Sequence, residues 1–317
     1  MGKLVSILIP CYNEEAALEI VYHAITENMQ PLSEFDYEIL LINDGSKDGT
    51  LIKMKELAQI DDHVKYYSFS RNFGKEAAIY AGLSNAKGDY VVMMDADMQD
   101  PPALLPRMIE LLETGEYDCV ATRRVTRKGE GKIRSLGAKL FYRIICKITN
   151  INIADGARDY QMMTRPMVDS VLALTENNRF SKGIFEWVGY RKIWLEFENV
   201  ERAVGETKWS FWKLMLYSLD GIVNFSNMPL TISSWLGLGM TGVSALAIIF
   251  IIVRKLLFGD PVDGWASLVC IITFVGGIQL FCMGIMGQYL SKMYSEVKRR
   301  PHYIIQETNE DGVERNR

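Results

Sequence analysis

Two long segments without a single charged residue lie in the last third of this 317-residue chain and limit its possible folds most strongly. They extend over Gly221–Val253 and Gly264–Ser291. Inside them, residues 232–253 and 265–289 are each long enough, at about 1.5 Å per residue, to cross a hydrocarbon core of about 30 Å. Turn-forming glycine, proline and aspartate residues separate the two, which predicts a two-helix transmembrane hairpin. The alternative is a pair of helices buried in a soluble core.

Basic residues near the predicted spans indicate their orientation. The flanking ones are Lys208 and Lys213 before the first span, and Lys292, Lys298, Arg299 and Arg300 after the second. The loop between the spans carries only Arg254 and Lys255 as basic residues. Since basic residues concentrate on the cytoplasmic side, both termini are predicted to be cytoplasmic in a protein of the cell membrane. The chain also begins with a strand-like run and no signal-peptide pattern.

The segment just before the first span has the pattern of a helix lying in the membrane interface. Trp209, Trp212 and Leu216 share one helical face, and lysines flank them. An amphipathic helix packed on a soluble core is the alternative. We therefore expect four parts: a cytoplasmic domain over 1–205, interfacial helices over 206–229, the two spans within 230–292, and a cytoplasmic tail over 293–317.

The first 205 residues alternate strand-like and helix-like segments. The predicted strands are Leu4–Ile9, Glu38–Ile42, Val64–Phe69, Tyr90–Met94 and Tyr117–Ala121. The predicted helices are Glu14–Asn28, Thr50–Ala58, Lys75–Asn85 and Leu104–Thr114. This alternation predicts an α/β domain with a Rossmann-like, mostly parallel sheet that receives ligands at the carboxyl ends of its strands.

Net charge and cysteine spacing exclude some functions. A formal net charge of −4 argues against a nucleic-acid partner, because such proteins usually carry a basic excess. The five cysteines show no metal-ligand spacing, which favours buried, reduced thiols.

An acidic motif follows the predicted strand Tyr90–Met94. Asp95 and Asp97 are two residues apart, and Gln99 comes within the following turn. Hard oxygen ligands at this spacing suit Mg²⁺ or Mn²⁺ bridging a diphosphate, where the metal stabilises the leaving group. The alternative is ordinary capping of a helix that starts near Pro101.

Two further motifs end the first and second strands. Pro10–Glu15 and Asn43–Thr50 supply carboxylate and amide groups that can read base edges, with glycines that permit close approach. Each alone could be ordinary turn chemistry. Together, in this order on successive strands, the three motifs are far more specific for a ligand-binding site than any one of them alone.

The chain resembles the family 2 glycosyltransferases of GT-A fold, and within them the polyprenyl-phosphate glycosyltransferases related to dolichyl-phosphate mannose synthase. Bacterial members that load undecaprenyl phosphate and carry a two-helix tail are the most similar. The resemblance covers nearly the whole chain. Its motifs, besides the paired spans, are Pro10–Glu15, Asn43–Thr50, Arg71–Lys75, Asp95–Pro102, Asp159–Gln161 and Gly205–Trp209.

The resemblance implies a role for individual residues. The nucleotide would be held by Pro10, Tyr12, Glu14, Asp44, Lys75 and Asp95. The metal would be held by Asp95, Asp97 and Gln99. Asp97 and Asp159 would be the catalytic residues, Asp159 on the acceptor side. Since the second pKa of a phosphate monoester is about 6, the acceptor is already ionised at neutral pH, and Asp159 could instead orient the acceptor or a basic neighbour.

An anionic acceptor also needs cations. The residues expected to contact its phosphate are Arg123, Arg124, Arg134, Arg202 and Lys208. The alternative for the arginine-rich loop after Tyr117–Ala121 is a solvated basic loop. Ala138 stands near the place where some relatives have a serine, so the phosphate contacts stay open.

The expected reaction is inverting, metal-dependent transfer of a hexose, glucose or N-acetylglucosamine, from a UDP-sugar to undecaprenyl phosphate for cell-envelope glycosylation. Expected partners also include membrane lipids and further copies of the chain. One alternative is a processive polysaccharide synthase, but Pro166 stands where the tryptophan of its Gln-x-x-Arg-Trp motif would be. Another is a non-catalytic membrane scaffold of the same fold.

Overall fold

A computed structural model of the chain describes residues 2–124, 156–198, 226, 228–258 and 264–310. The chain divides into two compact units, one formed by Met1–Met215 with Arg300–Arg317 and the other by Leu216–Arg299. The predicted boundary at residue 205 and nearly all of the predicted interfacial segment lie outside the described residues.

Among its described residues, the first unit contains the nine predicted strands and helices, whose ends lie within three residues of those predicted, and five further elements. Its strands are β1 (Lys3–Cys11), β2 (Phe35–Asn43), β3 (Val64–Phe69), β4 (Tyr90–Met93), β5 (Cys119–Arg124), β6 (Ala157–Thr164), β7 (Lys192–Phe197) and β8 (Ile305–Thr308). Its helices are α1 (Glu15–Met29), α2 (Thr50–Ile60), α3 (Lys75–Asn85), α4 (Leu105–Glu113), α5 (Arg165–Leu172) and α6 (Ser181–Trp187). The sequence patterns after β5 were too short to predict β6, β7, β8, α5 and α6.

The strands form one sheet in the order β7-β5-β6-β4-β1-β2-β3-β8. Strands β3, β2, β1 and β4 run parallel to one another, as expected from strand–helix alternation. Strand β6 lies antiparallel between β4 and β5, and β8 is antiparallel to β3. The prediction of an α/β Rossmann-like sheet is confirmed, and the sheet is mixed, since β6 and β8 reverse its direction.

The core lies on both faces of the central strands. In β1, Ile7, Leu8 and Ile9 are all fully buried, although neighbouring side chains of a strand point to opposite faces. Helices therefore cover the sheet on both sides, which is why β1 is an uninterrupted apolar run. Its carboxyl end, at the edge of this core, is held rigidly.

The C-terminal residues return to the sheet of the first unit. The Asn309 side chain accepts the Tyr66 backbone N–H at 2.9 Å, and the ring of Tyr303 stacks on that of Phe69 at 5.1 Å. These contacts fix residues 300–310 beside β3. Part of the segment predicted as a tail is thus a structural strand.

The second unit contains two long helices, α7 (Met228–Phe258, 31 residues) and α8 (Trp265–Lys298, 34 residues). Among the described residues, one stretch, Phe274–Lys298 within α8, is long and apolar enough to cross a membrane, with a hydropathy of 1.2 and none of it buried. Helix α7 extends the first predicted span at both ends and α8 extends the second at its C-terminal end, but a hairpin of two membrane spans is not confirmed.

Helix α3 can pack on β1 only because residue 82 is glycine. A Cβ atom at Gly82 would lie 1.8 Å from Cδ1 of the fully buried Leu8. We expect Gly82→Ala to lower the free energy of unfolding by about 2 kcal/mol, because overpacking outweighs the gain in helix propensity of about 1 kcal/mol.

The control is the same substitution in a Leu8→Ala background, where space is available. There Gly82→Ala should be neutral or stabilising, which gives a coupling energy of about 2 kcal/mol in urea unfolding. An equal cost in both backgrounds would contradict the packing explanation.

Candidate active site

The loops after β1 and β2 are tied together at the carboxyl edge of the sheet. Ser46 Oγ accepts the Asn13 backbone N–H at 3.0 Å, and Asn13 Oδ1 accepts that of Lys47 at 2.8 Å. Glu14 donates its backbone N–H to Thr50 Oγ1 at 2.9 Å. The predicted nucleotide residues thus lie at the ends of adjacent parallel strands, with Pro10 in the last part of β1 and Tyr12, Glu14 and Asp44 in the loops that follow β1 and β2.

Asp44 anchors the loop that leads into α3. It is 3% exposed, and its carboxylate accepts the backbone N–H groups of Phe73 at 2.6 Å and Gly74 at 3.0 Å. Burial raises the pKa of Asp44, although these two hydrogen bonds oppose the rise. Gly74 has a φ of 99°, which favours glycine. The predicted contact of Asp44 with a base stays a prediction.

Lys75, the first residue of α3, brings together two other predicted site residues. Its Nζ lies 2.6 Å from Asp95 Oδ1 and 2.6 Å from Asp159 Oδ2. The antiparallel register that pairs Met93 with Gln161 carries Asp95, just past β4, toward Asp159 on β6. The structure therefore places Lys75 as a bridge between two carboxylates, in addition to its predicted nearness to the nucleotide.

Asp159 has a second cationic neighbour. Lys182, in the first turn of α6, lies 3.4 Å from Asp159 Oδ1, and the Asp159 side chain is 18% exposed. Burial by itself would raise the pKa of Asp159, but the Lys182 and Lys75 cations outweigh it and hold that pKa well below its usual range. The Asp159 carboxylate is therefore ionised at neutral pH and weakly basic.

A buried ion pair supports the loop of Asp95 from behind. Arg158 donates from Nε to Asp100 Oδ1 at 2.9 Å, and the Asp100 side chain is fully buried. Asp100 Oδ2 also accepts the Asp95 backbone N–H at 3.0 Å. Burial raises the pKa of Asp100 to about 6, against the opposing effect of Arg158. Asp100 thus fixes the backbone from which Asp95 projects.

Asp97 and Gln99 form the exposed side of this loop. Asp97 Oδ1 accepts the Gln99 backbone N–H at 3.1 Å, and Gln99 Oε1 accepts a hydrogen bond from Arg124 at 3.0 Å. The described residues contain no group of three His, Cys, Asp or Glu side chains that could hold a metal. The donor set still suits Mg²⁺ or Mn²⁺, which often take one or two carboxylates and complete their shell with water and substrate phosphate oxygens.

The predicted acceptor residues are only partly described. Arg123 pairs with Glu196 across the parallel strands β5 and β7, and Arg124 reaches Gln99. Arg134, Arg202 and Lys208 lie outside the described residues. Contacts of this set with a phosphate stay predicted.

Sequence reasoning missed Asp100, Arg158 and Lys182 as parts of the site. Asp100 and Arg158 adjoin predicted residues, and a charged pair flanking two motifs at strand ends is a signal that could have been used. Lys182 follows no strand predicted from the sequence, and nothing in its local pattern distinguishes it from a surface lysine. Three acidic and three basic side chains thus meet at one edge of the sheet.

The carboxyl edge of this mixed α/β sheet therefore carries a cluster of charged groups of both signs. Comparison with known proteins identifies the class. The glycosyl transferase family 2 profile matches residues 6–172, more than half of the chain, and the chain belongs to this family.

Curated relatives align over almost the full length. CsbB of Bacillus subtilis (strain 168), a glycosyltransferase by name, is 42% identical over 306 residues, covering 96% of this chain and 92% of that protein. The SfII prophage-derived bactoprenol glucosyl transferase of Shigella flexneri is 39% identical over 305 residues, covering 96% of this chain and 98% of that protein.

Among solved structures, glucosyl-3-phosphoglycerate synthase from Mycobacterium tuberculosis, in complex with Mn²⁺, UDP-glucose and phosphoglyceric acid, has a TM-score of 0.49 at 18% identity. The match covers 71% of this chain and 79% of that chain. The family assignment rests on the sequence comparisons, and the chain is a glycosyltransferase.

We expect Asp100→Asn to lower the free energy of unfolding by about 2 kcal/mol, because it removes the nearest counter-charge of Arg158 and leaves only the more distant Asp95 carboxylate, at 3.8 Å, in ion-pair range. The matched control is Asp118→Asn, which breaks a pair with the 62% exposed Arg191 and should cost less than about 1 kcal/mol. Urea unfolding of the full chain in detergent measures both. Equal costs would contradict the structural role of the buried pair.

Asp159→Asn tests whether this carboxylate acts as a base. Because the folded-state pKa is lowered, the stability gained from ionising Asp159 is present above about pH 4 and is lost only as the pH falls further. The substitution should lower kcat/KM on the order of a hundredfold, the scale for a lost charge-stabilising group.

The ratio of wild-type to Asp159→Asn rate constants should stay constant between roughly pH 6 and 8, since acceptor ionisation affects both enzymes equally. A ratio that rises with pH through an inflection in this range would show a titrating base. Glu113→Gln, which removes a carboxylate paired with Lys3, is the control and should leave the rate unchanged.

Proposed function

We propose that this protein transfers a hexose from a UDP-sugar to a polyprenyl phosphate, with inversion at the anomeric carbon and with the help of a divalent cation. The observation that carries the proposal is the bridge of Lys75 between Asp95 and Asp159, at distances of 2.6 Å. It joins the loop expected to hold the donor to the strand expected to face the acceptor.

The donor would lie across the loops after β1, β2 and β4. The tied loops of Asn13 and Ser46 would supply backbone and side-chain groups for a nucleoside, and Asp95 and Asp97 would lie near its diphosphate. Asp95, Asp97 and Gln99 would hold Mg²⁺ or Mn²⁺. When bound, such a cation neutralises charge that develops on the departing nucleoside diphosphate.

The acceptor needs orientation more than deprotonation. A phosphate monoester is mostly dianionic above pH of about 6, so its oxygen attacks without a base. Asp159 is ionised and holds Lys75 and Lys182, which places two ammonium groups where an anionic acceptor and a departing diphosphate require positive charge. The chain thus lowers the barrier by positioning and by charge stabilisation.

The way the carboxylates are engaged supports the proposed inversion. A retaining mechanism needs a carboxylate that attacks the sugar, but both oxygens of Asp159 face lysines, and Asp95 lies against Lys75 and Arg158. A single displacement by the acceptor oxygen gives a product of opposite anomeric configuration. An α-linked donor would yield a β-linked lipid phosphate.

The names of relatives support the substrates. A relative that is 39% identical over 96% of this chain is named a bactoprenol glucosyl transferase, which favours glucose as the sugar and undecaprenyl phosphate as the lipid. N-acetylglucosamine is the second candidate sugar. The apolar stretch of α8 supports a membrane anchor, and the uncharged run that begins α7 would form its second span, with the catalytic unit and both termini cytoplasmic.

The structure offers little to the alternatives considered from the sequence. Gln161, which a processive synthase would use to grip a polymer, is 3% exposed, and Arg165 donates to the Ala86 carbonyl at 3.0 Å. A non-catalytic scaffold would have no need for Lys75, Asp95 and Asp159 to meet.

The test is product formation from a panel of nucleotide sugars with undecaprenyl phosphate in liposomes. We expect UDP-glucose to give a lipid-linked β-glucosyl phosphate, and Asp97→Asn to reduce turnover by about a hundredfold or more. Activity should vanish with excess chelator and return with Mg²⁺ or Mn²⁺.

Glu110→Gln, at a 66% exposed position of α4 away from the site, is the control and should keep its metal dependence. Transfer at full rate in chelator would exclude the metal, and an α-linked product from an α-linked donor would exclude inversion. No transfer from any sugar nucleotide would overturn the proposed function.

A further inference from the structure

A cleft of about 580 Å³ opens on the first unit beside the ion cluster of the active site. Its lining includes Arg71, Glu76, Arg179, Arg300 and His302. These residues come from the loop before α3 and the first turn of α3, from the loop before α6 and from the C-terminal segment that precedes β8. None of them contacts Asp95 or Asp159 in an ion pair among the described residues.

Arg179 is a buried cation in this lining. It is 7% exposed, and its guanidinium lies 4.5 Å from the centre of the Tyr80 ring. Two of its nitrogens donate to the carbonyls of Val171 and Leu174 after α5, whereas its Nε has no hydrogen-bond partner. Burial lowers the pKa of Arg179, although the nearby carboxylates of Glu176 and Glu76 oppose that effect.

Arg71 and Arg300 supply exposed charge to the same cleft. The Arg71 guanidinium rests 4.0 Å from the centre of the Phe73 ring and donates to the Asn72 carbonyl. No carboxylate of the described residues lies within ion-pair distance of either arginine. Stacked on an aromatic ring, Arg71 is held in place with donors remaining for a ligand.

The one carboxylate in the lining is already engaged. Glu76 accepts hydrogen bonds from the Ser181 backbone N–H at 2.9 Å and from the Ser181 hydroxyl. Three guanidinium groups therefore outnumber a single carboxylate, and one of the three is largely removed from water. A buried cation without a carboxylate at ion-pair distance is only partly compensated, so a bound anion would stabilise this arrangement.

We propose that this cleft is a second anion site, which binds the phosphate group of a ligand other than the sugar donor. Guanidinium groups bind phosphate through paired, charge-assisted hydrogen bonds, which lysine provides less well. The space is larger than a phosphate ion, so a phosphate ester fits as well as the free ion.

The site is linked to the active site through the chain. Glu76 follows Lys75 directly, and Ser181 precedes Lys182, so the Glu76–Ser181 contact joins the two segments that carry both lysines around Asp159. Arg300 also lies two residues beyond Lys298, the end of the apolar segment of α8. A phosphate from solution or from a lipid headgroup could therefore be the natural source.

The experiment is a pair of titrations of the full chain in detergent, with chelator present and without nucleotide. One arm adds inorganic phosphate and measures binding by calorimetry. The other adds mixed micelles of phosphatidylglycerol and compares them with phosphatidylcholine. We expect Arg300→Gln, at an exposed position where folding is not at risk, to weaken binding about tenfold or more, the scale of a lost charged hydrogen bond.

Arg107→Gln is the matched control, because Arg107 is an exposed arginine of α4 that pairs only with Glu110 among the described residues. Binding of inorganic phosphate that Arg300→Gln weakens and Arg107→Gln does not supports the site with a soluble anion. The same pattern with phosphatidylglycerol alone supports it with a lipid headgroup.

Equal behaviour of the two variants in both arms, or no binding in either arm, would overturn the proposal. Arg71→Gln tests the other side of the cleft and should weaken binding of the same ligand. Because metal and sugar nucleotide are absent, these outcomes are independent of whether the proposed transfer reaction takes place.

Discussion

The contact of one lysine with two carboxylates holds the functional edge of this protein together. Lys75 lies 2.6 Å from both Asp95 and Asp159, which come from a loop after a parallel strand and from an antiparallel strand. Without the lysine, the two carboxylates would repel each other, and the positive charge of Lys75 between them replaces that repulsion with attraction. The position of α3 on the sheet therefore determines whether the site exists.

Two supporting layers keep this bridge in place. Behind it, the buried Asp100 pairs with Arg158 and also accepts the Asp95 backbone N–H, which fixes the loop. Below it, Gly82 permits close approach of α3 to Leu8 in the central strand. Packing of α3 thus determines where the backbone of Lys75 lies, and electrostatic attraction determines which carboxylates its ammonium group contacts. The contact with Lys75 also helps to keep Asp159 ionised, so this carboxylate is better suited to the proposed orientation of the acceptor than to proton transfer.

The C-terminal segment contributes to the catalytic unit after the chain has passed through two apolar helices. Residues 305–308 pair with β3, and Arg300 joins the lining of the arginine-rich cleft. Arg300 is part of the cleft only because the chain returns to the sheet after these helices. The cleft therefore combines residues 71–77 and 177–179 of the first unit with its C-terminal segment, and an anion bound there would contact both parts of the chain.

Local pattern determined the first half of the fold. Strands β1 to β4 and helices α1 to α4 follow from apolar periodicity, because burial of a strand or a helix face leaves its mark at short sequence spacing. The motif after β4 likewise identified Asp95 as a candidate site residue, whereas Lys75 and Asp159 were expected from the family resemblance. Tertiary structure alone decided that β6 inserts antiparallel between β4 and β5, and that Lys182 joins Asp159. Strand pairing and ion pairs between distant segments depend on contacts across the folded sheet, which no local spacing encodes.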